Sequence, residues 1–242
     1  MGGDAPASAR EATRAAARAC ARQDRRTQRT RRALRDALAA EIAATGDLSA
    51  VTATAVADRA GLTRRTFYTH FRDIPDLVAQ VEAEALEELA DHLRLLAQAT
   101  LVECAGVLTR NEPMPHSVAL LGYVRANGAL YRALLGEGGD ATFAEKVKAL
   151  AHDVVAPRAL HGLDARARGF FDYYVTYAIS AEVGVLTRWL SGGMEESDEV
   201  MARIMTVLAF VRPGDLYGIP INLDITAYSE TLARMEEASK HD

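Results

Sequence analysis

Between Thr52 and Phe71 the chain carries two short helical stretches separated by one glycine, Gly61. Few folds accommodate that arrangement. Thr52 offers a hydroxyl suited to capping a helix start, and Val56, Ala57 and Ala60 follow at inward helical spacing. Gly61 ends this helix. Thr63 caps the next one, which carries Arg64, Arg65, Thr66, Phe67 and Tyr68 before Phe71 closes it. Two helices joined by so tight a turn need a residue that tolerates left-handed backbone, and glycine does so without steric cost. Val56, Ala57, Leu62 and Phe67 are the apolar pins expected to hold the pair together. The layout is that of a helix-turn-helix, whose second helix enters the major groove of DNA by its N-terminal residues.

Charge sharpens this expectation. The formal net charge of −5 argues against a nucleic-acid partner, but its distribution argues for one. Residues 1–72 hold 14 Arg, no Lys and 7 Asp or Glu, a balance of +7, against −12 for the remainder. A basic head on an acidic body is the asymmetry expected when one end meets phosphate. A solvated basic tail would give the same balance. Arg10, Arg14, Arg18, Arg22 and Arg26 recur every fourth residue in an Ala-rich background, one side of a helix if a helix forms. Like charges at that spacing repel, so this extension reads either as a disordered basic arm or as an arm that orders on an anionic partner.

The rest of the chain reads as helical almost throughout, with no alternating strand pattern and no internal repeat. The fold class expected is all-α, in three parts. These are a basic Arg/Ala-rich extension at residues 1–27, a three-helix DNA-binding domain at 28–73, and a larger helical domain at 74–242 that binds ligand and dimerises. A first helix is expected from about Gln28 to Thr45, stopped by Gly46 and Asp47. A fourth, long helix starts at Asp73-Ile74-Pro75-Asp76 and reaches Ala97 or beyond. After a break at residues 111–115, helices follow at about 116–127, 128–135, 141–155, 166–191 and 197–211. A last helix is expected at about 224–239.

The string Val56-Ala57-Asp58-Arg59-Ala60-Gly61-Leu62-Thr63, then Thr66-Phe67-Tyr68-Thr69-His70-Phe71, then Asp76-Leu77, closely resembles the N-terminal domain of the tetracycline-repressor (TetR) family. The resemblance covers about residues 28–75. It implies a homodimer reading a palindromic double-stranded operator, with Thr52, Thr63, Arg64, Arg65, Thr66, Tyr68 and His70 matching positions that contact DNA. The physical chemistry agrees: Arg64 or Arg65 can fork onto a guanine edge, and Tyr68 and His70 can bond phosphate, though both could instead pack locally. Arg72 is a further candidate. One departure stands out. The family usually has a Lys three residues after the closing Phe, where this chain has Ile74. Arg29, Arg31 and Arg32, or the extension, are the candidates to replace that grip.

The resemblance also implies a small-molecule pocket among the middle helices and a dimer interface built from two C-terminal helices. The candidates for the interface are the helices near 166–191 and 197–211. The former is apolar nearly all round and must be covered on both sides, by core and partner or by an ordinary monomeric core. Tyr123, Tyr131, Phe143, Phe170, Tyr174 and Tyr177 are the aromatics expected to line the pocket, with His116, Arg125 and Glu182 as polar contacts. No charge lies between Asp172 and Glu182, so a largely apolar effector is expected. No phosphate loop, nucleophile elbow or catalytic carboxylate pair is evident, so no enzyme activity, metal or cofactor is expected. Cys20 and Cys104 read as unpaired thiols in a reducing cytoplasm. No stretch is apolar and long enough to span a membrane, and no signal-peptide run opens the sequence, so a cytoplasmic, nucleoid-associated location is expected. The expected function is a ligand-released repressor. The alternative is a helical ligand-binding or interaction protein whose helix-turn-helix is structural.

Overall fold

The computed structural model describes residues 7–161 and 165–210. Among them every regular element is helical. They are α1 (Ala7–Thr45), α2 (Ala53–Arg59), α3 (Arg64–His70), α4 (Ile74–Leu96), α5 (Leu101–Arg110), α6 (Ser117–Ala126), α7 (Gly128–Leu135), α8 (Phe143–Ala159), α9 (Ala165–Ser191) and α10 (Asp198–Phe210). A 3-10 turn at Leu48–Ala50 follows α1, and Asp47 caps it by accepting from the Ser49 N–H at 2.8 Å.

Two compact units result, Met1–Ala79 and Gln80–Asp242, and the division falls inside α4. In the first, α1 packs on α2 and α2 on α3. Leu34, Leu38 and Ile42 of α1 recur at 4-residue spacing and are fully buried, with Val56 and Phe67. In the second, α8 and α9 pair along their lengths, and α10 packs on α6 and α9.

Several boundaries differ from the sequence expectation. The first helix does not start at Gln28: α1 begins at Ala7 and absorbs most of the basic extension. Alanine's helix propensity, summed over that stretch, offsets the repulsion among its arginines. The side chains of Arg10, Arg14, Arg18 and Arg22 lie outside the described residues, as does the helix expected at 224–239. The long fourth helix stops at Leu96, and α5 is a separate element. Thr100 accepts from the Glu103 N–H at 3.2 Å while the Glu103 carboxylate accepts from the Thr100 N–H at 2.8 Å, a reciprocal cap that starts a new helix. Pro157 does not end α8, which runs on to Ala159. So near the C-terminus the proline removes one bond without stopping the last turn.

Candidate nucleic-acid interface and ligand cavity

The geometry around Gly61 follows from three local features. Thr52 caps α2, its hydroxyl accepting from the Ala55 N–H at 3.2 Å. Gly61 sits at φ +67, the left-handed conformation the turn demands. Thr63 caps α3, accepting from the Thr66 N–H at 3.1 Å, with the Thr66 hydroxyl 2.9 Å away. Phe67 faces inward with no exposure, and Phe71 is buried beneath the Arg31 guanidinium, 5.2 Å from its ring centre.

With Phe67 inward, the opposite side of α3 faces solvent. Thr63, Arg64, Arg65 and Tyr68 are exposed, and Thr66 and His70 are partly so. Arg64 leans along the helix, donating to the Tyr68 hydroxyl at 3.3 Å and lying 5.4 Å from that ring's centre. The Arg65 side chain has no partner among the described residues. The structure therefore brings Thr63, Arg64, Arg65, Thr66, Tyr68 and His70 together on one short element. Burial, then the charge of Arg31, lowers the His70 pKa below the ordinary imidazole value. A neutral ring at about pH 7 keeps one N–H to donate. Thr52 is exposed at the head of α2. On α1, Arg29 and Arg32 are exposed and carry no partner among the described residues, whereas Arg31 is engaged. Arg72 is paired with Asp76 at 3.1 Å. Arg59, on α2, is paired with Glu41 of α1.

In the second unit a cavity of about 270 Å³ lies among α4, α6, α8, α9 and α10. Its walls are almost wholly aliphatic, with Leu89, Leu121, Val147, Ile179 and Met205 among them. None of the six expected aromatics lines it. Tyr131 and Phe143 are instead fully buried core, and the Tyr131 hydroxyl is 3.1 Å from that of Tyr123. Tyr123 also stacks on His92. Tyr174 and Tyr177 face outward, and Phe170 is half-buried and 5.9 Å from Phe171, ring centre to centre. Large rings close the packing around themselves; the residual volume falls where shorter branched chains from five helices fail to meet.

Of the polar candidates, Glu182 does line the cavity. Arg125 does not: its guanidinium ties α6 to the start of α10, donating to Asp198 at 2.6 Å and to the Met194 carbonyl at 2.9 Å, and it lies 4.9 Å from the Trp189 ring centre. His116 precedes α6 in a left-handed conformation and is not among the lining residues. The lining residues that sequence reasoning missed are mostly aliphatic, with Phe210, Ser117 and Thr206 beside them, and their spacing marks them as buried without marking them as bordering a void.

On α9 and α10 a second feature is exposed. Tyr173 and Tyr177 are 81% and 68% accessible, and Val200, Ile204, Val207 and Leu208 of α10 are exposed as well. Among the described residues no helix is long and apolar enough to cross a membrane, and no group of three or more His, Cys, Asp or Glu is placed to hold a metal ion.

Comparison with known proteins gives two matches. Residues 37–81 match the model for bacterial regulatory proteins of the tetR family, and residues 111–210 match a C-terminal region of transcriptional regulators. Together they cover more than half of the chain. No curated protein matches it significantly.

Proposed function

Because the chain belongs to the tetR family of bacterial regulatory proteins and is a DNA-binding transcriptional regulator, we propose that it acts as a homodimeric repressor released from a palindromic operator by a small, largely apolar effector. The observation that carries this reading is the outward face of α3. It offers two arginines, one of them without a partner among the described residues, beside two threonine hydroxyls and a tyrosine on a helix anchored by a fully buried Phe67. Arg64 and Arg65 read base edges. Thr52, Tyr68 and His70 position the duplex through phosphate, and Thr63 and Thr66 hold the N-terminal turn of α3 and reach the adjoining backbone. Arg29 and Arg32 supply the backbone contact that Ile74 cannot, since an isoleucine at that position carries neither charge nor donor.

Dimerisation through α9 and α10 is supported by their exposed aromatic and aliphatic side chains, which a monomer would leave in water. A two-fold dimer carries two readers, and a palindromic site matches that symmetry. The effector occupies the cavity of the second unit. α4 is the covalent route between ligand and reader: its first turn belongs to the DNA-binding unit, while Leu89 and Leu93 line the cavity. An effector that favours one position of α4 changes the spacing of the two readers, and the half-sites no longer match.

The test is a salt titration of affinity for a duplex selected by the protein from a random pool. Phosphate contacts impose a steep fall of log affinity with log salt. Arg65→Ala should weaken the selected duplex by about 1–3 kcal/mol while affecting random DNA little. A flat salt dependence, with Arg65→Ala indistinguishable from the parent, would favour a ligand-binding protein with a structural helix-turn-helix.

A further inference from the structure

The cavity holds a chemical asymmetry that its aliphatic walls conceal. Among the described lining residues Glu182 is the only charged side chain; α4, α6, α8 and α10 contribute no titratable group there, and no described basic group lines the cavity. The two hydroxyls in the lining are already used. Ser117 donates to the Met114 carbonyl at 2.6 Å, and Thr206 donates to the Ala202 carbonyl at 2.7 Å while accepting from the Met114 N–H at 2.9 Å. Glu182 has no hydrogen-bond or ion-pair partner among the described residues. Glu182 is half-buried, and a carboxylate that loses part of its water at an apolar wall without gaining a partner is disfavoured in its charged form. Two other partly or fully buried carboxylates of this unit do meet a cation: Lys146 pairs with Glu82, and Arg125 with Asp198.

We propose that the effector is a lipophilic cation, an alkyl chain or small ring system bearing an ammonium or similar group, with Glu182 as the residue that selects its charge. This rests on the cavity being the effector site. The acidic balance of the body favours the same sign of ligand, since residues 73–242 carry −12. A carboxylate ligand would set two like charges in an apolar site, and a neutral chain would leave Glu182 uncompensated. Burial pushes the Glu182 carboxyl up to about 7. A bound cation holds it ionised, so cation affinity is full above that value and declines as pH falls below it, by up to about tenfold per unit.

Three probes built on a ten-carbon chain test this by calorimetry, each below its micelle-forming concentration or solubility limit: decyltrimethylammonium, decanol and decanoate. The cation should bind about 10- to 100-fold tighter than decanol, with decanoate weakest. Glu182→Gln keeps the shape of the side chain and removes the charge. It should bring cation and alcohol to within about twofold and abolish the pH dependence, while its thermal melt stays at or above the parent's. Glu182→Asp should retain part of the preference. Equal affinity for cation and alcohol, tighter binding of decanoate, binding of none of the three, or a cation preference that survives Glu182→Gln would each overturn the assignment. A parallel DNA-release assay separates this inference from the repressor reading. If the cation binds through Glu182 but leaves operator affinity unchanged, the release mechanism fails and the ligand class stands.

Discussion

Lys146→Met removes a cation from a buried carboxylate and keeps most of the side chain's length. In the parent, the Lys146 ammonium on α8 donates to Glu82 of α4 at 2.6 Å and to Asp140 at 3.4 Å. The Glu82 side chain is 4% exposed. Burial raises its carboxyl above the ordinary range, Lys146 opposes that, and Asp140 adds to it. Breaking one partner of a buried pair typically costs about 3–5 kcal/mol. Glu82 has an escape, because it can take up a proton. At about pH 7, protonating a carboxyl of ordinary pKa 4.5 costs about 3.4 kcal/mol, and at about pH 5 it costs about 0.7 kcal/mol. Those figures cap the loss, and the parent already carries a share of it. The expected destabilisation is therefore about 2–3 kcal/mol at about pH 7 and under about 1 kcal/mol at about pH 5.

The sign follows from proton binding. In the variant the folded carboxyl has a pKa raised further above the unfolded one, so the folded state holds a proton that the unfolded state releases. Its stability is fullest below about pH 4.5 and falls as pH rises toward the raised value. Urea unfolding of both proteins at equal concentration and at both pH values measures the gap. A gap that does not narrow on acidification would refute the electrostatic account and assign Lys146 to packing through its aliphatic stem.

Three further outcomes follow. Thr63→Val deletes the cap at the head of α3 and should cost about 1 kcal/mol of stability and weaken operator binding, whereas Thr63→Ser should retain both; thermal melts and gel shifts read the difference. Gly61→Ala meets no atom within 4 Å, so its cost is backbone strain alone at φ +67, about 1–2 kcal/mol by denaturant titration; a neutral result would mean the turn can relax. Tyr177→Glu or Val207→Glu, at exposed positions on α9 and α10, should shift sedimentation toward monomer and reduce operator affinity without disturbing helix content; an unchanged dimer would place the interface elsewhere.

The DNA-reading unit was legible in the sequence because its determinants are local. The hydroxyls of Thr52 and Thr63 reach backbone N–H groups three residues on, and Gly61 supplies a conformation set by its own φ. Phe67 is pinned inward by the same spacing that turns Arg65 outward. The start of α5 was written there too, in the Thr100 and Glu103 pair, but the apolar rhythm that runs through residues 77–97 obscured it. The cavity was not legible. Helical periodicity says that Leu89, Val147, Ile179 and Met205 turn away from water, as it says of Tyr131 and Phe143. Which of them borders unfilled volume depends on how five helices, separated by tens of residues, match in shape, and no local pattern encodes that. Arg125 shows the same divide: it read as a free polar contact until the fold brought Asp198 to it from 73 residues away. Local sequence determined the turn at Gly61, the caps of α2 and α3 and the outward face of α3, because those depend on bonds spanning three or four residues. Tertiary structure alone decided where the empty space lies and that, among the described residues, Glu182 is the one charge lining it.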